Sequence, residues 1–215
     1  MTPMKEDYLK IIFELGGTKN QVSNKQIAIS LSIAAGSVTE MVNKLVDEKL
    51  VTHKPYAGVK LTDQGIKLAE ELVRKHRIWE TFLIDKLGFA LPDIHMEAEK
   101  LEHVTSDEMI DHLDDFIGNP KKCPHGGVIP DRNGNYDIET HQVLNDTKVG
   151  QIVTVDRFID NHDLLTYMGD IKLDLGDQLK ILSRNSFDKS MQVQNLTDNK
   201  ELMIGYKTAH YVFVK

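Results

Sequence analysis

The spacing of apolar residues changes once along this 215-residue chain, and that change constrains the fold more than any other feature. Up to about residue 117, apolar residues recur at i, i+3 and i+4, which is typical of amphipathic helices. From Lys148 onward they stand in short β-like runs with turns between them. The sequence therefore predicts a mainly α-helical protein with a small β domain at its C-terminal end.

The first part of the chain has the order of elements of a winged helix-turn-helix. Helices are predicted over about 4–15, 24–31 and 36–49, followed by a hairpin from 50–54 and 59–61. The third helix would enter the major groove of DNA, and the wing would hold the phosphate backbone. A helical domain whose polar face is merely solvated is the competing interpretation. The candidate DNA-binding residues are Lys25, Ser37, Thr39, Asn43, Lys44, Lys54, Tyr56 and Lys60.

Three more helices are predicted over about 62–87, 92–105 and 106–117, before an irregular stretch at 121–146. Five later β-like runs and a short helix near 162–168 predict a small SH3-like barrel. We expect a DNA-binding domain at 1–72, a helical dimerisation and metal-binding domain at 73–130, a linker at 131–147 and the barrel at 148–215.

Charge is distributed unevenly along the chain. Residues 1–75 hold 11 basic against 9 acidic side chains (+2), whereas residues 76–146 hold 6 against 15 (−9). The acidic middle must be well solvated or must bind cations. The chain has no apolar run long enough to span a membrane, no signal peptide and a single cysteine, Cys123. We therefore expect a cytoplasmic protein with no membrane partner.

Side chains that bind metals cluster in this acidic middle. The predicted helix at 92–105 carries His95, Glu99, Glu102 and His103 within an arc of roughly 100°. Glu99, Glu102 and His103 can supply three ligands to one ion, with Asp7 as a fourth. His76, Glu80 and His95 form a possible second site, and Cys123 with His125 lies in a loop that can close over either one. Isolated solvated carboxylates are the ordinary alternative, but they do not explain the matched spacing.

Several segments together resemble the diphtheria toxin repressor family, in its manganese-responsive three-domain branch. The resemblance covers the first 130 residues closely and the C-terminal barrel only in general pattern. The matching segments are KEDYLK (5–10), SVTEMVNKL (37–45), GVKLTDQG (58–65), RKHRIWETFL (74–83), AEKLEH (98–103) and CPHGGVIP (123–130).

The resemblance implies a homodimer that is activated by metal and represses metal-uptake genes, with an SH3-like, FeoA-like C-terminal domain. It implies Mn²⁺ as cofactor, with Fe²⁺ as the alternative. Lys10 stands where two-domain members have a glutamate ligand, which argues against a binuclear site of that kind. The implied primary site is Asp7, Glu99, Glu102 and His103, with Cys123 and His125 close to or within it. The implied ancillary site is His76, Glu80 and His95 with a carboxylate from Asp160 or Asp163.

The sequence thus predicts a manganese-dependent transcriptional repressor that binds double-stranded operator DNA as a homodimer. It is not expected to be an enzyme or to take a small organic substrate. One alternative is a winged-helix regulator that does not depend on metal. A less favoured alternative is a metalloenzyme in which Glu99 or Glu102 is the general base to a bound water.

Overall fold

The computed structural model describes residues 1–135 and 142–215. Residues 136–141, which belong to the predicted linker, lie outside the described residues. The chain divides into two compact units. Within the described residues, the first unit consists of 1–79, 98–121 and 129–135, and the second of 80–97, 122–128 and 142–215. The predicted domain boundaries at residues 72, 130 and 147 remain a prediction.

The first unit begins with the elements of the predicted winged helix-turn-helix. Ser23 caps the second helix with a capping box, because its side chain accepts from Gln26 N and the Gln26 side chain accepts from Ser23 N. The elements are α1 (Pro3–Glu14), α2 (Asn24–Ser30), α3 (Ala35–Asp47), β1 (Val51–Lys54) and β2 (Gly58–Leu61).

Packing of α3 and the hairpin leaves one face of α3 exposed. Val38 and Leu45 on α3 are fully buried. The hairpin is held to the chain before α2 by a bridge between Val22 and Val59. Gly58 has φ +118°, and a Cβ at this position would strike the carbonyl oxygen of Val22. Only glycine permits this close approach, so it fixes where the wing begins.

The remaining helices are α4 (Asp63–Leu87), α5 (Ile94–Glu102) and α6 (Asp107–Ile117). A 3₁₀ turn at Leu91–Asp93 precedes α5, which is shorter than the predicted 92–105. Beyond its end, Thr105 Oγ1 accepts a hydrogen bond from Trp79 Nε1 at 2.9 Å. Ser106 caps α6, and Gly118 ends it in the left-handed conformation. Within the described residues, no helix has the length and apolar composition needed to cross a membrane.

The elements of the second unit are β3 (Ile152–Phe158), α7 (His162–Ile171), β4 (Gln178–Arg184), β5 (Met191–Asn195), β6 (Lys200–Ile204), α8 (Tyr206–Ala209) and β7 (Val212–Val214). The strands form an antiparallel sheet in the order β6-β5-β4-β3-β7, an SH3-like domain. Alternate residues of β5 are buried, so one face of that strand packs on the core. The helix of four residues before the last strand was not predicted from the sequence.

Candidate metal centres

Four predicted ligands come together in the first unit, and we call them the first cluster: Asp7, Glu99, Glu102 and His103. Asp7 lies on α1, whereas Glu99 and Glu102 lie one turn apart on α5 and His103 follows α5 directly. One donor atom of each lies within 4.8 Å of the others. Three carboxylates and one imidazole at this separation can converge on a single divalent cation.

Lys10 places an ammonium group against this cluster. Its Nζ donates to Glu102 Oε1 at 2.8 Å and to Glu99 Oε1, and it lies 3.4 Å from His76 Nδ1. His76 in turn contacts the other oxygen of Glu102. The Lys10 side chain is 7% exposed and that of Glu102 is 0% exposed. The negative charge of the first cluster is therefore already partly neutralised by residues of the chain.

Two carboxylates of the first cluster have pKa values that move in opposite directions. Burial by itself raises the pKa of Glu102, but His76 and Lys10 lower it to about 2. Burial and the neighbouring Glu99 raise the pKa of Asp7 above its usual value. Glu102 is thus held as an anion, while Asp7 lacks a comparable counter-charge.

His103 connects the two helices through its two ring nitrogens. Its Nδ1 lies 2.5 Å from Glu6 Oε2, and its Nε2 lies 3.0 Å from Asp7 Oδ1. Asp7 Oδ1 is nevertheless buried without a hydrogen bond of good geometry from the described part of the chain. A buried carboxylate oxygen in this state is costly unless it meets a donor or a cation. The donor set therefore fits a divalent metal ion.

A second cluster lies in the second unit and combines Glu80, Cys123 and His125, whose donor atoms are within 4.8 Å of one another. All three residues are buried. Asp160 extends the group, because its Oδ1 lies 3.8 Å from His125 Nδ1 and its Oδ2 lies 2.7 Å from His95 Nδ1. Carboxylate, thiol and imidazole together suit a transition metal ion.

The loop that carries Cys123 and His125 is tightly built. Its ends pair as a bridge between Lys122 and Val128, and the amide of Phe158 donates to His125 O at 3.1 Å. Gly126 adopts φ +87°, and a Cβ there would meet the carbonyl oxygen of Asp156. The backbone therefore fixes the positions of both donor side chains.

His125 has an environment that favours positive charge. Burial disfavours the imidazolium, yet the carboxylates of Glu80 and Asp160 raise the pKa of His125 to about 12. Its Nδ1 lies 2.9 Å from Glu80 Oε1. Within the described residues, neither ring nitrogen makes a hydrogen bond of good geometry. The second cluster therefore also fits a cation.

Comparisons with known proteins agree with this arrangement. Residues 1–59 match the model described as "Iron dependent repressor, N-terminal DNA binding domain", and residues 62–131 match "Iron dependent repressor, metal binding and dimerisation domain". Residues 142–215 match the FeoA domain. The HTH-type transcriptional regulator MntR of Oceanobacillus iheyensis is 35% identical over 116 residues, 54% of this chain and 78% of that protein. The chain belongs to the iron-dependent repressor family.

Two solved structures extend the likeness of this iron-dependent repressor to its whole length. The structure of the manganese regulator SloR is 40% identical with a TM-score of 0.84, and the match covers 100% of this chain and 99% of that one. A manganese-dependent transcriptional repressor in complex with manganese is 32% identical with a TM-score of 0.82, covering 98% of each chain. The predicted family and its three-part fold are confirmed.

The loop with Cys123 and His125 contributes to the second cluster of this iron-dependent repressor. Cys123 and His125 lie with Glu80 in the second unit. That they also belong to the primary site, or lie close to it, stays a prediction. The loop had no periodic pattern from which its partner could be inferred.

Three of the predicted ancillary ligands, Glu80, His95 and Asp160, lie in the second unit. Asp160 is the carboxylate beside His95, whereas Asp163 is exposed in the first turn of α7. His76 belongs to the first unit, where it contacts Glu102. Two neighbours of the first cluster, Glu6 and Lys10, were not predicted to contact it. Lys10 lies three positions after Asp7, and that spacing was the available signal.

Most of the predicted DNA-reading side chains of this iron-dependent repressor are exposed, and their contact with DNA stays a prediction. Tyr56 sits at the hairpin turn, fully exposed, with φ +63°. Lys44 pairs with Glu40 on α3 at 2.7 Å, and both side chains are more than half exposed. Lys60 on β2 is half-buried. The predicted residues that are exposed are Lys25, Ser37, Thr39, Asn43, Lys44, Lys54 and Tyr56.

Proposed function

We propose that the protein is a manganese-activated transcriptional repressor that binds operator DNA as a homodimer. The observation that carries this proposal is the first cluster, in which Asp7 of the N-terminal helix meets Glu99, Glu102 and His103 of the metal-binding segment. The names of the similar proteins, MntR and the manganese regulator SloR, support manganese as the effector. The matched dimerisation domain supports a dimer.

The composition of the first cluster favours manganese over softer metals. Three of its four donors are carboxylates, and oxygen donors suit Mn²⁺ and Fe²⁺. Cys123, whose thiolate would favour softer ions, lies in the second cluster. We therefore assign activation by manganese to the first cluster, with Fe²⁺ as the alternative ion.

The first cluster lies close to α3, the helix that we propose reads DNA. Asp7 and Tyr8 of α1 line a groove together with Ser37, Met41 and Lys44 of α3. Tyr8 is buried, so α1 is packed into the interior of the first unit. A divalent ion held by the first cluster would supply the positive charge that joins Asp7 to α5. Asp7 would then fix the position of α3 within each subunit.

DNA binding follows from that fixed position. Two recognition helices of a dimer must match half-sites separated by multiples of about 34–36 Å. To change the ratio of the DNA-competent form to the inactive form from 1:99 to 99:1, the metal must bind the competent form more tightly by about 5.5 kcal/mol. Residues on α3 would read bases, while Lys54 and Lys60 would contact phosphates. We expect this activity in the cytoplasm.

We further propose that the second cluster holds an ancillary ion through Glu80, His95, Cys123, His125 and Asp160. Two observations support this, the spacing of Glu80, Cys123 and His125 and the His95–Asp160 contact. His76, one helical turn before Glu80 on α4, remains a predicted ligand. An ion at this position would add stability rather than the connection to α1, because none of these residues lies on the N-terminal helix.

The test is a fluorescence-anisotropy titration on the region upstream of a metal-transporter gene, with Mn²⁺, Fe²⁺, Zn²⁺ or a chelator. Asp7→Asn should lose manganese-stimulated binding while keeping its circular dichroism spectrum. Asp115→Asn is the matched control, because Asp115 is exposed, pairs with Arg132 and belongs to neither cluster. Sedimentation of the loaded protein should give a dimer. The proposal fails if chelated wild-type protein binds this DNA as tightly as the manganese-loaded form.

A further inference from the structure

We propose that Lys10 is an internal competitor of the metal, an ammonium group that holds α1 to α5 in the metal-free protein and sets how much metal is needed for activation. This inference rests on the proposed function, since it concerns the same cluster. It adds a residue that is not a ligand and that opposes the ion electrostatically.

The contacts of Lys10 are those of a bound cation. Its Nζ is surrounded by Glu99 Oε1, by Glu102 Oε1 at 2.8 Å and by His76 Nδ1 at 3.4 Å. Two carboxylates and an imidazole are also the donor types that a divalent ion prefers. Lysine is almost never buried unless it is paired, and this side chain is 7% exposed. The ammonium thus occupies a small cation site built by the chain itself.

The ammonium and the proposed ion must share oxygens. Glu102 Oε1, which accepts from Lys10, also lies 3.5 Å from His103 Nε2, a donor of the first cluster. Glu99 likewise belongs to both groups. A protonated lysine has no lone pair to offer a metal. A divalent ion on these carboxylates therefore meets a positive charge nearby, and the charge reduces the affinity.

Lys10 and Asp7 form two alternative connections from the same helix. They lie three positions apart on α1, so both project towards α5. Without metal, Lys10 binds Glu99 and Glu102, while Asp7 Oδ1 has no hydrogen bond of good geometry within the described residues. With metal, the connection through Asp7 is added while the one through Lys10 is weakened. On activation, the main connection from α1 to α5 therefore changes from Lys10 to Asp7, which lies one helical turn away.

The experiment measures Mn²⁺ uptake by the full-length chain using equilibrium dialysis and calorimetry. Lys10→Met, which keeps the side-chain length without the charge, should bind Mn²⁺ at the first cluster about tenfold more tightly than wild type. It should also take up one additional ion in the place left by the ammonium. Lys10→Arg should behave as wild type, because it keeps the positive charge. Lys5→Met is the control, since it removes a charge from the same helix that pairs with Glu48 instead.

Each result has a defined meaning. Tighter uptake by Lys10→Met together with unchanged uptake by Lys10→Arg and Lys5→Met supports the inference. Equal affinity and equal stoichiometry in Lys10→Met and wild type overturn it and leave Lys10 as a packing residue. Should Lys10→Met not fold, Lys10→Gln replaces it, because a neutral amide can still donate to Glu102. A wild-type chain that takes up no Mn²⁺ refutes the proposed function, whereas the Lys10 inference is decided by the difference between variants.

Discussion

Replacing Glu102 by glutamine should destabilise the metal-free protein as well as abolish its metal response. The Glu102 side chain is 0% exposed and accepts from Lys10 at 2.8 Å while its other oxygen contacts His76. Glutamine removes the charge but keeps the shape, so Lys10 would lose the charge of Glu102 and keep its contact with the partly exposed carboxylate of Glu99. Breaking a buried ion pair from one side costs about 3–5 kcal/mol. Because Glu99 remains, we expect the lower end, about 3 kcal/mol.

The assay is thermal unfolding in the presence of a chelator, followed by circular dichroism. A loss of about 3 kcal/mol corresponds to a fall in Tm of roughly 6–12 °C for a chain of this size. Glu99→Gln should cost less, because the Glu99 side chain is 30% exposed and water can replace the lost contact. The double variant Lys10→Met/Glu102→Gln should recover most of the loss, since neither partner is then left as an unpaired buried charge.

Two results would refute this reasoning. A Glu102→Gln protein that melts within about 1 °C of wild type would mean that the buried pair contributes little. A double variant that is no more stable than Glu102→Gln alone would mean that the cost does not come from the stranded Lys10. If the double variant regains stability but not the manganese response, Glu102 has two separate roles: it stabilises the metal-free protein, and it binds the metal.

Two further predictions concern the second unit. Gly126→Ala places a side chain at φ +87° and against Asp156 O, a strain that should cost about 1–3 kcal/mol. A calorimetric titration should therefore show weaker metal uptake by the second cluster. Gly169→Ala in α7, where a Cβ would meet open space, should leave uptake unchanged in the same titration. Burial tends to raise the pKa of Asp156, but Lys215 and Lys122 hold it below its usual 3.8. The stabilisation by the Asp156 carboxylate is therefore present above pH 3.8 and is lost as pH falls through the lower folded pKa. In urea unfolding at pH 7, the free energy of unfolding of Asp156→Asn should be about 1 kcal/mol below that of wild type, and the difference should disappear in acid. A deficit that stays constant with pH would contradict this assignment.

Regular elements could be predicted from the sequence because periodicity reports burial directly. α3 buries Val38, Met41, Val42 and Leu45 at the positions that the sequence indicates. The four residues of the first cluster could be predicted for the same reason, since Glu99 and Glu102 share a face of α5. Where the pattern is helical, a side chain's direction follows from its position, and its partners can be inferred.

The rest depends on contacts that no periodic pattern encodes. Cys123 and His125 lie in a loop whose path is set by the conformation of Gly126 and by backbone bonds to β3. The choice of Asp160 over Asp163 depends on where β3 ends and α7 begins. The spacing of Lys10 from Asp7 places it on the same side of α1, but a lysine in that place does not reveal which atoms its ammonium group contacts.

The Glu40–Lys44 pair on α3 affects how the protein would search a chromosome. Lys44 lies on the exposed face of α3, and in the free protein Glu40 holds it at 2.7 Å. Attraction to arbitrary duplex grows with the number of phosphates neutralised. A carboxylate beside the lysine reduces that count, so encounters with unrelated sequence should be brief. Each subunit would therefore dissociate quickly from non-specific DNA and would depend on contacts with the bases to stay bound at its operator.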